Sequence, residues 1–225
     1  NMAYTLAEVH KKKVLIIDND KQGNTSKAFK KYDTEDKNTV ARMMLERNID
    51  VSEIIKKTDY ENIDIITANM DLLEANLRTI VDTGRQQQTR FKKALAAVEG
   101  YDYCIIDNAP DINMSIINAL VTSNDVIVPV FMDQYSFDGL DILLEQIAQV
   151  QEDFNENLHF AGCIITQYQN NDVNNQGIVL AFCDNLQQGR AIRIKDKQLN
   201  GFKIEVEDCP TEPVTIKYFI FGGKI

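Results

Sequence analysis

Two stretches of the chain carry residues able to do chemistry. Lys13 to Asn24 reads KVLIIDNDKQGN and Tyr101 to Pro110 reads YDYCIIDNAP; each is a short apolar run that ends in carboxylates and then breaks. Ligands of open α/β sheets bind beyond the carboxyl ends of the strands. If the two runs are neighbouring strands, Asp18, Asp20 and Asp107 meet at one rim. Acidic groups gathered there call for a cation, and the Mg²⁺ of a nucleoside triphosphate suits an all-oxygen site that keeps several of its waters. Each aspartate also has a plainer reading, because Asp and Asn favour turns and helix caps. Asn24 is as well suited to capping the next helix as to touching a nucleotide. His10 and His159 have no partner at ligand spacing and are not proposed for metal or catalysis.

The elements that must position these groups follow from the apolar pattern. Val14 to Ile17 is apolar without alternation, as in a strand buried on both faces of a parallel sheet. Cys104 to Ile106 and Val126 to Phe131 read the same way, Ile63 to Thr67 is a short strand candidate, and Ala161 to Thr166 is a further strand. Met2, Leu6 and Val9 fall at helical spacing, as do Val40, Met43 and Met44. Asp71 with Glu74 has capping-box spacing and predicts a long helix, continued by Phe91, Ala94, Leu95 and Val98 and closed at Gly100. The Gln86-Gln87-Gln88 run is then a solvated face of it. Ile112 to Thr122 predicts another helix, and Ser136 is placed to cap one reaching about Val150. Strands alternating with helices imply an α/β fold, a mainly parallel sheet with helices on both faces. Beyond about Gly177 the pattern weakens, although Val214 to Phe221 suits a strand.

The bulk properties narrow the class. The 225 residues suit one α/β domain, with about 178–225 as a divergent tail. A formal charge of −10 argues against a dedicated basic nucleic-acid binder. Local basic clusters exist at Lys11 to Lys13, at Lys27 with Lys30 and Lys31, and at Arg90 with Lys92 and Lys93. No run approaches the roughly 18 apolar residues of a membrane span, so no membrane partner is expected. The four cysteines lack metal spacing; Cys104 and Cys163 sit in apolar runs and read as small buried hydrophobes of a reduced cytoplasm.

Three motifs in order resemble the ParA family of partition ATPases, in the deviant Walker group of P-loop NTPases. They are DNDKQGN at Asp18 to Asn24, YDYCIIDNAPDINMSIINAL at Tyr101 to Leu120, and DVIVPVFMDQYSFDGLDILLEQI at Asp125 to Ile147. The resemblance implies a P-loop NTPase-like fold, with ATP and Mg²⁺ as cofactors. By the same resemblance Asp20 orients the attacking water, and Asp18 and Asp107 hold Mg²⁺ largely through water. Asn108, Ala109 and Pro110 form the switch that senses the γ-phosphate, and Thr166 to Tyr168 approach the adenine. The partners implied are a second copy in an ATP-bridged homodimer, non-specific DNA, and a ParB-like centromere-binding protein that stimulates hydrolysis. The setting implied is a cytoplasmic, nucleoid-associated protein.

The chain departs from the family pattern in three places. A glycine-rich phosphate loop and the strand before it are expected ahead of Asn1, and no GxxxxGK[ST] run occurs in the sequence. Backbone amides of such a loop cradle phosphate, so this chain alone is expected to bind ATP poorly. The C-terminal basic residues Arg190, Arg193, Lys195 and Lys197 do not fall in the family register. Lys21 stands where the family has Pro. Two other function classes fit some of the same residues. A non-catalytic interaction or dimerisation module would use the same helices. A receiver-like phosphoacceptor domain would use the same carboxylates, but VIVPVFMDQ lacks the lysine it needs after a later strand, and Asp20 and Asp107 lie too far apart for it.

Overall fold

A computed structural model describes residues 1–131, 134–169, 176–183, 192–198, 201–206 and 216–221, with side chains described for 1–129 and 142–164. The chain divides into two compact units, Asn1–Ser123 and Asn124–Ile225.

The first unit is built on β1 (Val14–Asn19), whose six residues are all buried. It lies between two parallel neighbours, β3 (Ile63–Ile66) and β4 (Tyr103–Asn108), and β2 (Ile55–Lys57) adds an antiparallel edge to β3. The order is β2-β3-β1-β4. Alternation along β1 divides its side chains between two cores, as a pleated strand must. Leu15 and Ile17 join Val40, Met43, Met44, Leu72 and Phe91 on one face, while Val14 and Ile16 join Ala3, Ala7, Ile63 and Ile65 on the other. Both faces are therefore covered, which explains why the strand is apolar without a polar side.

Helices supply that cover, and several differ from the sequence expectation. The first helical segment is α1 (Met2–Tyr4), which continues as a π-helical turn over Thr5–Val9. Ala3 and Ala7, four residues apart on one face, enter the core with Leu6 packed beside them, so Met2 and Val9 are exposed instead. Next come α2 (Asn24–Ala28) and α3 (Ala41–Leu45). The long helix expected from Asp71 to Gly100 is two: α4 (Asp71–Val81) and α5 (Arg90–Leu95). Asp82 breaks it, its carboxylate accepting from the Gly84 N–H and Arg85 in the intervening loop and from Arg90 at the start of α5. The glutamine run lies in this loop rather than on a helix, with Gln87 Nε2 donating to the Ile80 and Asp82 carbonyls. Asp71 does not cap α4; Asn69 does, its side chain accepting from the Asp71 N–H, while Asp71 pairs with Lys37.

Next is α6 (Met114–Thr122), capped by Asn113 Oδ1, which accepts from the Ser115 and Ile116 N–H groups. Asn118 on α6 is fully buried, and its Oδ1 accepts from the Arg90 and Phe91 N–H groups that open α5.

In the second unit β5 (Asp125–Phe131) and β6 (His159–Gln169) are parallel, flanking α7 (Gln134–Asp153). The helix starts before Ser136, which therefore does not cap it. β7 (Gln176–Cys183) and β10 (Ile216–Phe221) extend that sheet antiparallel, and β8 (Ile192–Gln198) and β9 (Gly201–Val206) form a separate antiparallel pair. Arg193, Lys195 and Lys197 lie on β8; Arg190 falls outside the described residues.

Candidate functional site

The rim forms where β1 and β4 end side by side. Their register pairs Asp18 with Asp107 and Asn19 with Asn108. Asn19 Nδ2 donates to Asn108 Oδ1 at 2.7 Å and to the Ser115 carbonyl at 3.1 Å, tying the β1 end to the β4 end and to α6. The turn after β1 is closed by the Gly23 N–H donating to the Asp20 carbonyl at 2.8 Å. Gly23 has φ +61, and a Cβ there would come within 2.5 Å of the Tyr32 ring and 2.7 Å of the Ala68 carbonyl oxygen. Only glycine meets both demands.

The three aspartates share this rim in unequal roles. Asp18 is fully buried, and its Oδ2 accepts from Ser26 N at 2.7 Å and Ser26 Oγ at 2.6 Å, while its Oδ1 accepts from the Asp20 N–H at 3.2 Å. Its carboxylate holds the turn and the first residues of α2. Burial raises the Asp18 pKa, the Ser26 bonds oppose that, and the nearby Asp107 charge adds to it. Asp20 is half-buried, with Oδ1 accepting from the Gln22 N–H at 2.9 Å. Asp107 is exposed and accepts from the Thr25 hydroxyl. Among the described residues no group of three His, Cys, Asp or Glu is arranged to hold a metal ion.

The remaining residues expected at a site divide between this rim and elsewhere. Asn108, which ends β4, and Pro110 beyond it are exposed, and Ala109 is buried between them. Lys21 ion-pairs with Asp111 at 2.9 Å, linking the turn after β1 to the loop after β4. Thr166 lies on β6 in the second unit opposite Phe131, and its side chain is outside those described. Cys104 is exposed, against expectation, because β4 is the outermost strand of its sheet. Arg90 leaves the basic surface cluster altogether, being 4% exposed. Its guanidinium donates to the Met44 carbonyl and Thr79 hydroxyl and pairs with Asp82.

Sequence reasoning missed Thr25 and Ser26. The only signal for them was their place one turn beyond Asp20, at the start of α2. Cavities of about 290 and 360 Å³ exist, the first lined by residues such as Lys57, Tyr60 and Asp64, the second by Arg47, Arg85 and Lys93; no residue of the carboxylate rim lines either.

The rim suits an oxyanion-bound divalent cation better than a naked metal. It offers an exposed carboxylate, a hydroxyl and a half-buried carboxylate, with one further unsatisfied oxygen. Asn19 Oδ1 is buried with no hydrogen-bond partner among the described residues. A hard cation with its own water shell fits such a donor set, because few direct protein ligands are needed.

Comparison with known proteins decides the family. Residues 1–160 match the family described as AAA domain. This chain belongs to that family, as a ParA/Soj-type member. Its sequence is 35% identical over 167 residues to the sporulation initiation inhibitor protein Soj of Bacillus subtilis, covering 74% of this chain and 64% of Soj. The chain therefore spans just under two thirds of that relative's length. Its fold is similar to the cobyrinic acid a,c-diamide synthase of Mycobacterium smegmatis solved with a bound ATP analog and magnesium. The TM-score is 0.69 at 28% identity, over 76% of this chain and 68% of that one. A plasmid partition protein of Borrelia burgdorferi is similar with a TM-score of 0.62 at 25% identity, covering 75% of this chain and 72% of its own. The ParA/Soj-type chain thus has the mainly parallel, helix-covered sheet of these P-loop NTPase folds. No helix among its described residues is long and apolar enough to cross a membrane.

Proposed function

We propose that the chain is the carboxylate-bearing part of an ATP- and Mg²⁺-dependent partition or positioning ATPase of the ParA type. The observation that carries this reading is the pairing of Asp18 with Asp107 at the end of β1 and β4, with Thr25 on Asp107 and Asp20 at the turn beside them. Phosphoryl transfer is catalysed mainly by positioning and charge stabilisation, and the rim is built to position.

In this proposal Asp107, with the Thr25 hydroxyl, steadies a water of the Mg²⁺ shell. Asp20 orients the attacking water and accepts its proton. Asp18 fixes, through Ser26, the turn that presents Asp20, and helps hold Mg²⁺ through the waters of its shell. Asn108 and Pro110 sense the γ-phosphate, the Asn19–Asn108 bond passing that state to α6. When bound, Mg²⁺ supplies a Lewis acid that draws charge from the phosphate oxygens. Thr166 contacting the base, an ATP-bridged homodimer, non-specific DNA binding, stimulation by a ParB-like protein and a nucleoid location complete the proposal, supported by the likeness to Soj.

The test is ATP binding and hydrolysis by the full-length gene product. Asp20→Ala is expected to keep Mg²⁺-dependent ATP binding and to lose turnover by about 10²-fold or more. Asp107→Asn is expected to weaken the dependence of both on Mg²⁺. Turnover unchanged in both variants removes the rim from the mechanism.

A further inference from the structure

Positive charge gathers beyond the end of α3, in a chain whose formal charge is −10. The cavity of about 360 Å³ there is lined by Arg47, Arg85, Arg90 and Lys93, with Glu46 as the one carboxylate among its lining residues. Arg42 already holds Glu46 on both oxygens, at 2.6 and 3.0 Å, and reaches Glu53 as well. Asp82 pairs with Arg85 and Arg90 through the same oxygen, at 3.4 and 2.7 Å, so one carboxylate serves two guanidiniums. Arg47 and Lys93 are exposed and have no ion-pair partner among the described residues. Five cations therefore stand against three carboxylates, Glu46, Glu53 and Asp82. Burial and the neighbouring Arg85 charge lower the Arg90 pKa against the pull of Asp82, as befits a cation short of counter-charge.

We propose that this cavity binds a small phosphate monoester. Charge selects the ligand, because a phosphate monoester carries close to two negative charges at neutral pH and so matches the surplus. Arg47 and Lys93 have free donors for its oxygens, and a guanidinium fork suits two phosphate oxygens at once. Arg85 and Arg90 act differently. Their donors go to the Met44, Leu45 and Glu46 carbonyls and the Thr79 hydroxyl, so both are held in place and supply field rather than contacts. A recess lined by one sign of charge concentrates that field. Ile49 and Ala94 add apolar lining, which suits a short organic group on the ester. A DNA backbone fits less well, since it could touch the exposed Arg47 and Lys93 but not Arg90, which is buried. The cavity shares no residue with the carboxylate rim and does not rest on the function proposed for it.

Calorimetric titration of the full chain with glycerol 2-phosphate tests this, in chloride buffer without Mg²⁺ at about pH 8, where the ester is a dianion. Binding with a dissociation constant of about 1 mM or tighter is expected. Arg47→Ala and Lys93→Ala should each weaken it at least about fivefold, and the double variant should lose it. Acetate, with a single charge, should bind at least about tenfold more weakly than the ester. Removing two exposed cations elsewhere, with Lys11→Ala and Lys12→Ala together, is expected to leave the affinity unchanged. Circular dichroism checks that each variant folds, and Arg47→Gln or Lys93→Gln replaces an alanine variant that does not. Absence of binding up to about 20 mM ester overturns the proposal. So does unchanged affinity in the Arg47→Ala, Lys93→Ala double variant, or an equal loss in the Lys11→Ala, Lys12→Ala control. Displacement of the ester by duplex DNA at matched ionic strength also overturns it, assigning these cations to a nucleic-acid surface instead.

Discussion

Asp18 and Asp107 stand level with each other on adjacent parallel strands, and two consecutive hydroxyls of α2 are divided between them. Ser26 holds the buried Asp18, and Thr25 reaches the exposed Asp107. One short helix thereby sets the spacing of two carboxylates that come from distant parts of the chain. Asp18 is fixed by the protein itself, and Asp107 is left to face solvent.

The buried member makes stability depend on pH. The Asp18 pKa is raised chiefly by burial, so the native state holds its proton more tightly than the unfolded chain does. Its contribution is fully present below the ordinary value of 3.8 and is lost as pH rises through the higher folded value. Denaturant unfolding at a series of pH values should show this decline in the wild type and a flatter profile in Asp18→Asn. Identical profiles would show that Asp18 carries no such linkage.

Gly23 has no permissible replacement at the turn. Gly23→Ala must give up a left-handed backbone and also displace the Tyr32 ring or the Ala68 carbonyl. A loss of about 1–3 kcal/mol is expected from denaturant midpoints. Hydrogen exchange should accelerate first at Lys27, whose N–H donates to the Gly23 carbonyl.

Asn118 joins α6 to α5 with every polar atom in use. Its Nδ2 donates to the Gln87 and Met114 carbonyls, and its Oδ1 takes two N–H groups. Asn118→Leu keeps the volume but leaves the α5 amides uncapped and buried. The expected cost is about 2–4 kcal/mol, with the denaturant m-value unchanged. An Ala-like effect under about 0.5 kcal/mol would mean that water replaces the amide.

Thr25 distinguishes a positioning rim from a passive one. Thr25→Val removes the hydroxyl on Asp107 while keeping the shape. In the full-length gene product it is expected to raise the Mg²⁺ concentration needed for half-maximal ATP binding several-fold, with little change in melting temperature. Equal Mg²⁺ dependence in Thr25→Val and wild type would free Asp107 from Thr25.

The amino-acid sequence determined the strands and the motif residues at their ends. Val14 to Ile17 is apolar on both sides, a pattern that burial within a parallel sheet demands, and the apolar run Cys104 to Ile106 pairs beside it although it is only half-buried to exposed; the carboxylates follow each run in the same stretch of chain. The kind of fold was legible for that reason. Tertiary structure decided how those carboxylates are used. Ser26 occupies Asp18, Thr25 bonds to Asp107 across 82 positions of sequence, and Asp82 gathers Arg85 and Arg90 to split one periodic run into α4 and α5. Local pattern registers burial and chain direction. The partner of a polar side chain depends on which distant segment folds beside it.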